Sequence, residues 1–151
     1  MIDHLTRREI QAPLANVLLK AFAREVGRDK ALAAATAAIQ EDAAAAGERL
    51  AARMGGNGLR EMVRVVQEVW AQGGALDIDF QERSDTELHF EVTRCRYAEL
   101  YERLGMRDLG YCLSCSRDPA FVRGFNSRMS LQRTGTIMEG ADSCDFRFHI
   151  E

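Results

Sequence analysis

The segment 76–93, LDIDFQERSDTELHFEVT, decides the fold of this chain. Apolar residues alternate with polar ones on both sides of a Ser84-Asp85 turn. A period of two is typical of β-strands with one buried and one exposed face. The segment therefore predicts an antiparallel hairpin, and these residues form its dry face: Leu76, Ile78, Phe80, Leu88, Phe90 and Val92.

Three helices are predicted before this hairpin. Pro13 suits the first turn of the first helix, and Gly27 ends it. One apolar stripe follows the helical period: Leu14, Val17, Leu18, Phe22 and Val26. Asp29 caps an alanine-rich second helix, and the third extends over Leu59–Trp70. The Gly-Gly-Asn-Gly at 55–58 connects two helices and is no phosphate loop, because no strand precedes it and no Lys-Ser/Thr follows.

After the hairpin the period returns to that of helices. Residues 97–104 predict one helix and 109–122 a second, with Pro119 as its kink or end. The last residues predict another hairpin, 129–137 with 143–150, joined by the turn MEGAD. This order has no β-α-β alternation, so we expect an α+β fold. An antiparallel sheet of about four strands would carry helices on one face.

Length and charge restrict the classes of function. The 151 residues fit a single domain, in which 1–74 form a helical scaffold and 75–151 carry the site. The 20 basic and 23 acidic residues are intermixed, which argues against nucleic-acid binding. No apolar run is long enough for a membrane span and the N-terminus lacks a secretory signal, so we expect a cytoplasmic protein. Its four cysteines are then free, metal-bound or catalytic.

A thiol and an acid stand close together in the second helix after the hairpin. Cys112, Cys115 and Asp118 follow at three-residue spacing, which makes Cys115 and Asp118 neighbours on one face. A reactive thiolate also needs positive charge nearby, because an acid alone raises its pKa. Three arginines are candidates for that charge: Arg96, Arg117 and Arg133.

A zinc site is the alternative use of the cysteines. Cys-X-X-Cys is half of such a site, and distant partners would complete the set Cys95, Cys115, Cys144 and His89. Strand parity places Cys95 on the polar face with His89 and Cys144 on the apolar face, unless a bulge reverses the parity. His89 and His149 are expected to be solvated, and His4 is expected to lie in a frayed N-terminus.

Three motifs in the last third resemble a known family. They are TRCRYAELYERLG (93–105), CSRD (115–118) and RTGTIMEGADSCDFRF (133–148). Together they look like the L-2-amino-thiazoline-4-carboxylic acid hydrolase family. Members are named for hydrolytic opening of a small ring that contains sulfur and nitrogen, on a bacterial route to cysteine. The ending also resembles the four-vinyl-reductase type small-molecule-binding domain, which implies an α+β fold of helices and antiparallel strands.

The resemblance implies a hydrolase that acts on a carbon–nitrogen bond of a small cyclic amidine, imine or amide. We expect Cys115 to attack the ring or position water, Asp118 or Glu139 to move the proton, and Arg96 to hold a substrate carboxylate. The remaining matching positions are candidate contacts: Cys95, Asn126, Thr136 and Cys144-Asp145-Phe146.

Two alternatives stay open. One is a hydrolase that needs zinc, whereas the leading hypothesis needs no cofactor. The other is a sensor or carrier that binds a small molecule or metal without turnover. The expected partner is a small molecule in every case, and a homo-oligomer is possible.

Overall fold

The computed structural model describes residues 1–151 and shows helices first, then two hairpins separated by further helices. The helices are α1 (His4–Val26), α2 (Arg28–Met54), α3 (Leu59–Val65), α4 (Arg96–Arg103), α5 (Arg107–Gly110) and α6 (Arg117–Phe125). The strands are β1 (Leu76–Arg83), β2 (Glu87–Cys95), β3 (Met129–Gln132) and β4 (Cys144–Ile150). They form an antiparallel sheet in the order β1-β2-β4-β3. The predicted α+β architecture is confirmed.

The inner face of the sheet is built from the alternation in the sequence. Leu88, Phe90 and Val92 of β2 are buried. The Phe90 ring stacks on that of Phe146 in β4, with 4.8 Å between the centroids. Trp70, at the end of the helical segment before β1, packs against Phe146 from the helical side. Aromatic contacts of this kind join the helices to the central two strands.

A β-bulge changes the parity that the sequence predicts for Cys95. Asp77 pairs with Arg94 and Ile78 with Val92, so Thr93 is an extra residue in β2. Thr93 and Arg94 are both exposed, and Cys95 returns to the buried face. The prediction that Cys95 lies on the polar face is therefore wrong, and the bulge considered as its exception is present.

Helix α1 begins nine residues before the proline that was predicted to start it. Asp3 is the N-cap, because its carboxylate accepts a 2.7 Å hydrogen bond from the Thr6 amide. His4 is thus the first residue of an ordered helix and not part of a frayed end. Pro13 lies in the helix interior.

The apolar stripe of α1 faces away from the core. Ala12 and Leu19 are its buried apolar residues. The stripe residues are between 45% and 64% exposed: Leu14, Val17, Leu18, Phe22 and Val26. The helical period predicted the helix, but it did not predict which face packs, because the buried face of α1 carries Arg8, Ala12 and Leu19 instead of the stripe. The cap of the second helix also differs from the prediction. Helix α2 begins at Arg28 with Gly27 as its N-cap, so Asp29 lies inside the first turn and is not the cap.

Helices α2 and α6 approach each other through glycine. A Cβ atom at Gly124 would collide with the backbone of Ala44, and one at Gly47 would collide with the backbone of Phe121. Neither position has room for a side chain, so the two helices cross with their backbones nearly in contact. This crossing fixes α6, and with it the residues at its first turn, against the long second helix.

The single helix predicted over 109–122 is divided. Helix α5 continues into a π-helical turn, Tyr111–Cys115, and α6 starts at Arg117. Pro119 lies in the first turn of α6, where its missing N–H costs no helical hydrogen bond. A second π-turn, Val66–Trp70, ends the third helix.

The last hairpin is shorter than predicted. Strand β3 ends at Gln132, and a 3-10 turn, Ile137–Glu139, lies in the connection to β4. None of the helices combines the length and the hydropathy that a membrane crossing requires.

Candidate functional site

A cavity lies between the inner face of the sheet and the helices. Its volume is about 120 Å³, and 11 of its 17 lining residues are hydrophobic. A cavity of about 150 Å³ holds one benzene molecule, so this cavity is slightly smaller than one that holds a six-membered ring. A mostly apolar cavity with a few convergent polar groups is typical of small-molecule sites.

Three cysteines from different elements line this cavity. Cys95 is the last residue of β2, Cys115 ends the π-turn, and Cys144 begins β4. The bulge in β2 directs Cys95 inward. The fourth, Cys112, is not among the lining residues and accepts a 3.2 Å hydrogen bond from the Thr36 hydroxyl of α2. The π-turn thereby separates two cysteines that stand only three residues apart.

Asp118 and Arg133 form an ion pair in the wall of the cavity. Arg133 Nη1 donates to Asp118 Oδ2 at 2.7 Å, and Nη2 donates to the Cys115 carbonyl oxygen at 3.0 Å. The Arg133 side chain is 8% exposed. Its guanidinium also lies over the Phe146 ring, 4.9 Å from the centroid. Of the three arginines considered from the sequence, Arg133 is the one that binds both the acid and the backbone of the Cys115 turn.

The surroundings of the thiols favour their protonated forms. Burial raises the pKa of Cys115, the Asp118 carboxylate raises it further, and Arg133 only partly offsets both. Burial also raises the pKa of Cys95 to about 11 and shifts that of Cys144 in the same direction. Burial raises the pKa of Asp118 as well, against the opposing effect of Arg133. All three thiols are therefore neutral at pH 7.

The first turns of α1 contribute residues that sequence reasoning missed. His4 and Arg8, one helical turn apart, both line the cavity. Arg8 Nη2 lies 3.2 Å from His4 Nε2, and Nη1 donates to Gln11 Oε1 at 3.1 Å. Burial and the nearby Arg8 lower the pKa of His4 to about 4. Since a neutral His4 can accept from Arg8, both groups are satisfied. The Asp3 cap was the signal in the sequence that His4 begins a helix.

Glu139 and Thr136 belong to a different pocket, on the other side of Arg133. This pocket is open, measures about 560 Å³, and has only two hydrophobic residues among the 11 that line it. The Thr136 hydroxyl donates to Glu139 Oε2 at 2.7 Å and accepts from the Glu139 amide at 3.2 Å. Asp145 accepts from the Thr134 amide and hydroxyl at 2.8 and 2.9 Å. These contacts hold the turn between β3 and β4.

The other candidate residues lie outside both pockets. Arg96 is exposed and donates to the Gly73 carbonyl oxygen at 3.0 Å. Asn126 donates to the Asn57 carbonyl oxygen at 3.0 Å and accepts from the Arg128 amide. His89 pairs with Glu82 and Glu87. No group of three or more His, Cys, Asp or Glu side chains has a geometry that could hold a metal ion. The structure therefore gathers the three thiols of the alternative zinc set around the cavity but leaves His89 apart.

The fold is α+β, and its mostly apolar cavity carries thiols and a carboxylate–guanidinium pair in the wall. The model of one family matches residues 7–148, nearly the whole chain. This chain belongs to the L-2-amino-thiazoline-4-carboxylic acid hydrolase family.

A solved structure with a similar fold is subunit 3 of the trafficking protein particle complex from Naegleria fowleri, covalently bound to palmitic acid. It has 12% sequence identity and a TM-score of 0.58, and the similarity covers 97% of this chain and 96% of that one. At that identity the likeness concerns the fold alone. No curated protein matches this chain.

Proposed function

We propose that the protein opens a small nitrogen-containing ring by hydrolysis at a carbon–nitrogen bond inside the mostly apolar cavity. The observation that carries this proposal is that Cys115 and the Asp118–Arg133 pair face one cavity of the size of a small ring. The family supports the reaction class.

In this proposal the substrate supplies the positive charge that lowers the pKa of the Cys115 thiol. A cyclic amidine is readily protonated, and a bound cation beside Cys115 lowers the pKa of that thiol. The Cys115 proton then passes to Asp118, which Arg133 holds in place through the 2.7 Å bond. Asp118 has a raised pKa, which suits a group that accepts a proton and returns it.

The proposed reaction has two steps. Cys115 Sγ forms a bond to the amidine carbon, the ring carbon–nitrogen bond breaks, and the departing nitrogen takes the proton from Asp118. Water then attacks the same carbon and Asp118 takes its proton. The carbon–sulfur bond breaks, and the proton returns to the sulfur of Cys115. The sum is the addition of one water to the substrate.

Five candidate residues from the sequence have no part in this proposal. Glu139 and Thr136 bind each other at the open pocket, where Asp145 binds Thr134. Arg96 and Asn126 bind backbone groups elsewhere. Cys95 and Cys144 remain candidate contacts on the wall of the cavity.

The test is incubation with cyclic amidines, thiazolines and lactams, including L-2-amino-thiazoline-4-carboxylic acid. Mass spectrometry of the small molecule should show the gain of one water. Metal analysis of the same preparation tests the cofactor-free mechanism. One tightly held ion per chain, together with activity lost to a chelator, would contradict that mechanism.

A second candidate is a carrier or sensor that binds in the same cavity without turnover. The neutral state of all three cavity thiols favours it, because an unactivated thiol suits retention of a ligand better than attack. The fold is shared with a subunit that carries palmitic acid. A chain of that type, with roughly eighteen non-hydrogen atoms, exceeds this cavity. Saturable binding of a small ring with no mass gain in any of the compounds would favour this candidate over hydrolysis.

A further inference from the structure

The cavity contains a positive charge without an acidic partner. Its lining includes three guanidinium groups, those of Arg8, Arg117 and Arg133, and one carboxylate, that of Asp118. Arg133 pairs with Asp118. Arg117 pairs at 2.8 Å with Asp42, which approaches from the surface. Arg8 is left without a carboxylate within ion-pair distance.

Arg8 is buried, so water does not neutralise the effect of its charge. The residue is 9% exposed. Its hydrogen-bond partners, Gln11 and His4, are both on its own helix and both neutral. The guanidinium remains protonated at any ordinary pH. A buried charge of this kind costs stability unless an opposite charge compensates it. Arg8 therefore has hydrogen-bond partners, but its positive charge has no opposite charge beside it.

The surplus charge lies near the proposed chemistry. The three guanidinium groups line the same cavity as the Asp118 carboxyl, and each of them lowers the pKa of that carboxyl. A monoanion in the cavity would therefore meet Arg8 as its free partner. A guanidinium binds a carboxylate by two parallel hydrogen bonds, which also orients the ligand.

We propose that Arg8 is the subsite for the carboxylate of a small ring acid, and that it orients the ring toward Cys115. This inference rests on the proposed function for the identity of the ring. It replaces Arg96, the candidate from the sequence, which is exposed and bound to the Gly73 carbonyl oxygen.

The test uses a ring that hydrolysis does not open. 2-Aminothiazole-4-carboxylate is an aromatic analogue of the ring in the family name, and its carboxamide is the neutral counterpart. Calorimetric titration of the full chain should show that the carboxylate binds about tenfold or more tightly than the carboxamide. In Arg8→Met the two ligands should bind within about twofold of each other, and Arg8→Lys should keep part of the preference.

Arg96→Met is the matched control, since it makes the same change at an arginine outside the cavity. It should keep the full preference. Equal binding of both ligands to the wild type, no binding of the carboxylate, an unchanged preference in Arg8→Met or a lost preference in Arg96→Met would each overturn the subsite. Arg8→Lys provides a folded variant if Arg8→Met does not fold.

Turnover of L-2-amino-thiazoline-4-carboxylic acid, measured separately, distinguishes the two proposals. Arg8-dependent binding of the aromatic carboxylate without any ring opening would support the Arg8 subsite and contradict the proposed hydrolysis. Ring opening with equal kcat/KM for the acid and its carboxamide would support the proposed hydrolysis and contradict the Arg8 subsite.

Discussion

The mostly apolar cavity and the open, mostly polar pocket share Arg133 as a wall, but their polar groups have different partners. In the open pocket Glu139 and Asp145 have nearby donors within the β3–β4 connection. In the cavity, Arg8 has no acidic partner, and Cys115 has a pKa raised by burial. Polar groups that hydrogen-bond to each other stabilise a turn. A buried charge without a partner is unfavourable, and a ligand of opposite charge would compensate it. We therefore propose the cavity, and not the open pocket, as the place of the ring opening.

Replacement of Cys115 should have the largest effect. Cys115→Ser should lower kcat/KM by about a thousandfold or more, because a hydroxyl does not replace a thiol as the attacking group. Cys112→Ser is the matched control, since its side chain contacts Thr36 and does not line the cavity. Rates of ring opening measure both. Comparable losses in the two variants would show that the cavity has no special role.

Replacement of Asp118 should have the largest effect on stability. Asp118→Ala leaves the Arg133 guanidinium buried without its partner, which costs about 3–5 kcal/mol of unfolding free energy. Urea unfolding measures the loss. The double variant Asp118→Ala/Arg133→Met should regain most of it, because no unpaired charge remains. A double variant as unstable as the single one would contradict this account of the pair.

Acid should destabilise the protein through His4. Its pKa is lowered from 6.5 to about 4 by burial and by Arg8, so below pH 6.5 the unfolded chain binds a proton that the folded chain does not. Stability should therefore fall as the pH drops from 6.5 to 4. The part due to His4 is about 2 kcal/mol after allowance for its partial exposure. His4→Gln should remove that part of the pH dependence. An unchanged pH curve in His4→Gln would show that His4 is solvated.

Replacement of Glu139 should have the smallest effect. Glu139→Gln keeps an oxygen that can accept from the Thr136 hydroxyl, so the unfolding free energy should fall by about 1 kcal/mol or less. Activity should change less than about threefold, since the residue lines the open pocket. A loss as large as that of Cys115→Ser would move the chemistry to the open pocket.

Local patterns in the sequence predict most of the fold. The alternation in β1 and β2 predicted the first hairpin, and the absence of β-α-β order predicted the antiparallel sheet. The spacing of Cys115 and Asp118 predicted a shared face of one helix, whereas the structure has Cys115 in the π-turn and Asp118 in α6. Both now line the cavity, because the turn that contains Cys115 leads directly into α6.

Features that depend on distant contacts could not be predicted in the same way. The bulge at Thr93 depends on pairing with β1, and it alone directs Cys95 inward. Arg8 looks like any surface arginine, because only the packed α1 places it against the cavity. The exposed stripe of α1 shows the same limit, since an amphipathic period indicates a helix but does not identify what its apolar face contacts.

Peptide mapping by mass spectrometry during turnover tests the central claim most directly. The protein is mixed with L-2-amino-thiazoline-4-carboxylic acid, quenched in acid within the first turnovers, and digested. We expect the peptide that contains Cys115 to carry the mass of the bound ring, and we expect this adduct to disappear as the opened product accumulates. Product formation at the wild-type rate in Cys115→Ser, with no adduct on Cys115 in the wild type, would contradict the claim.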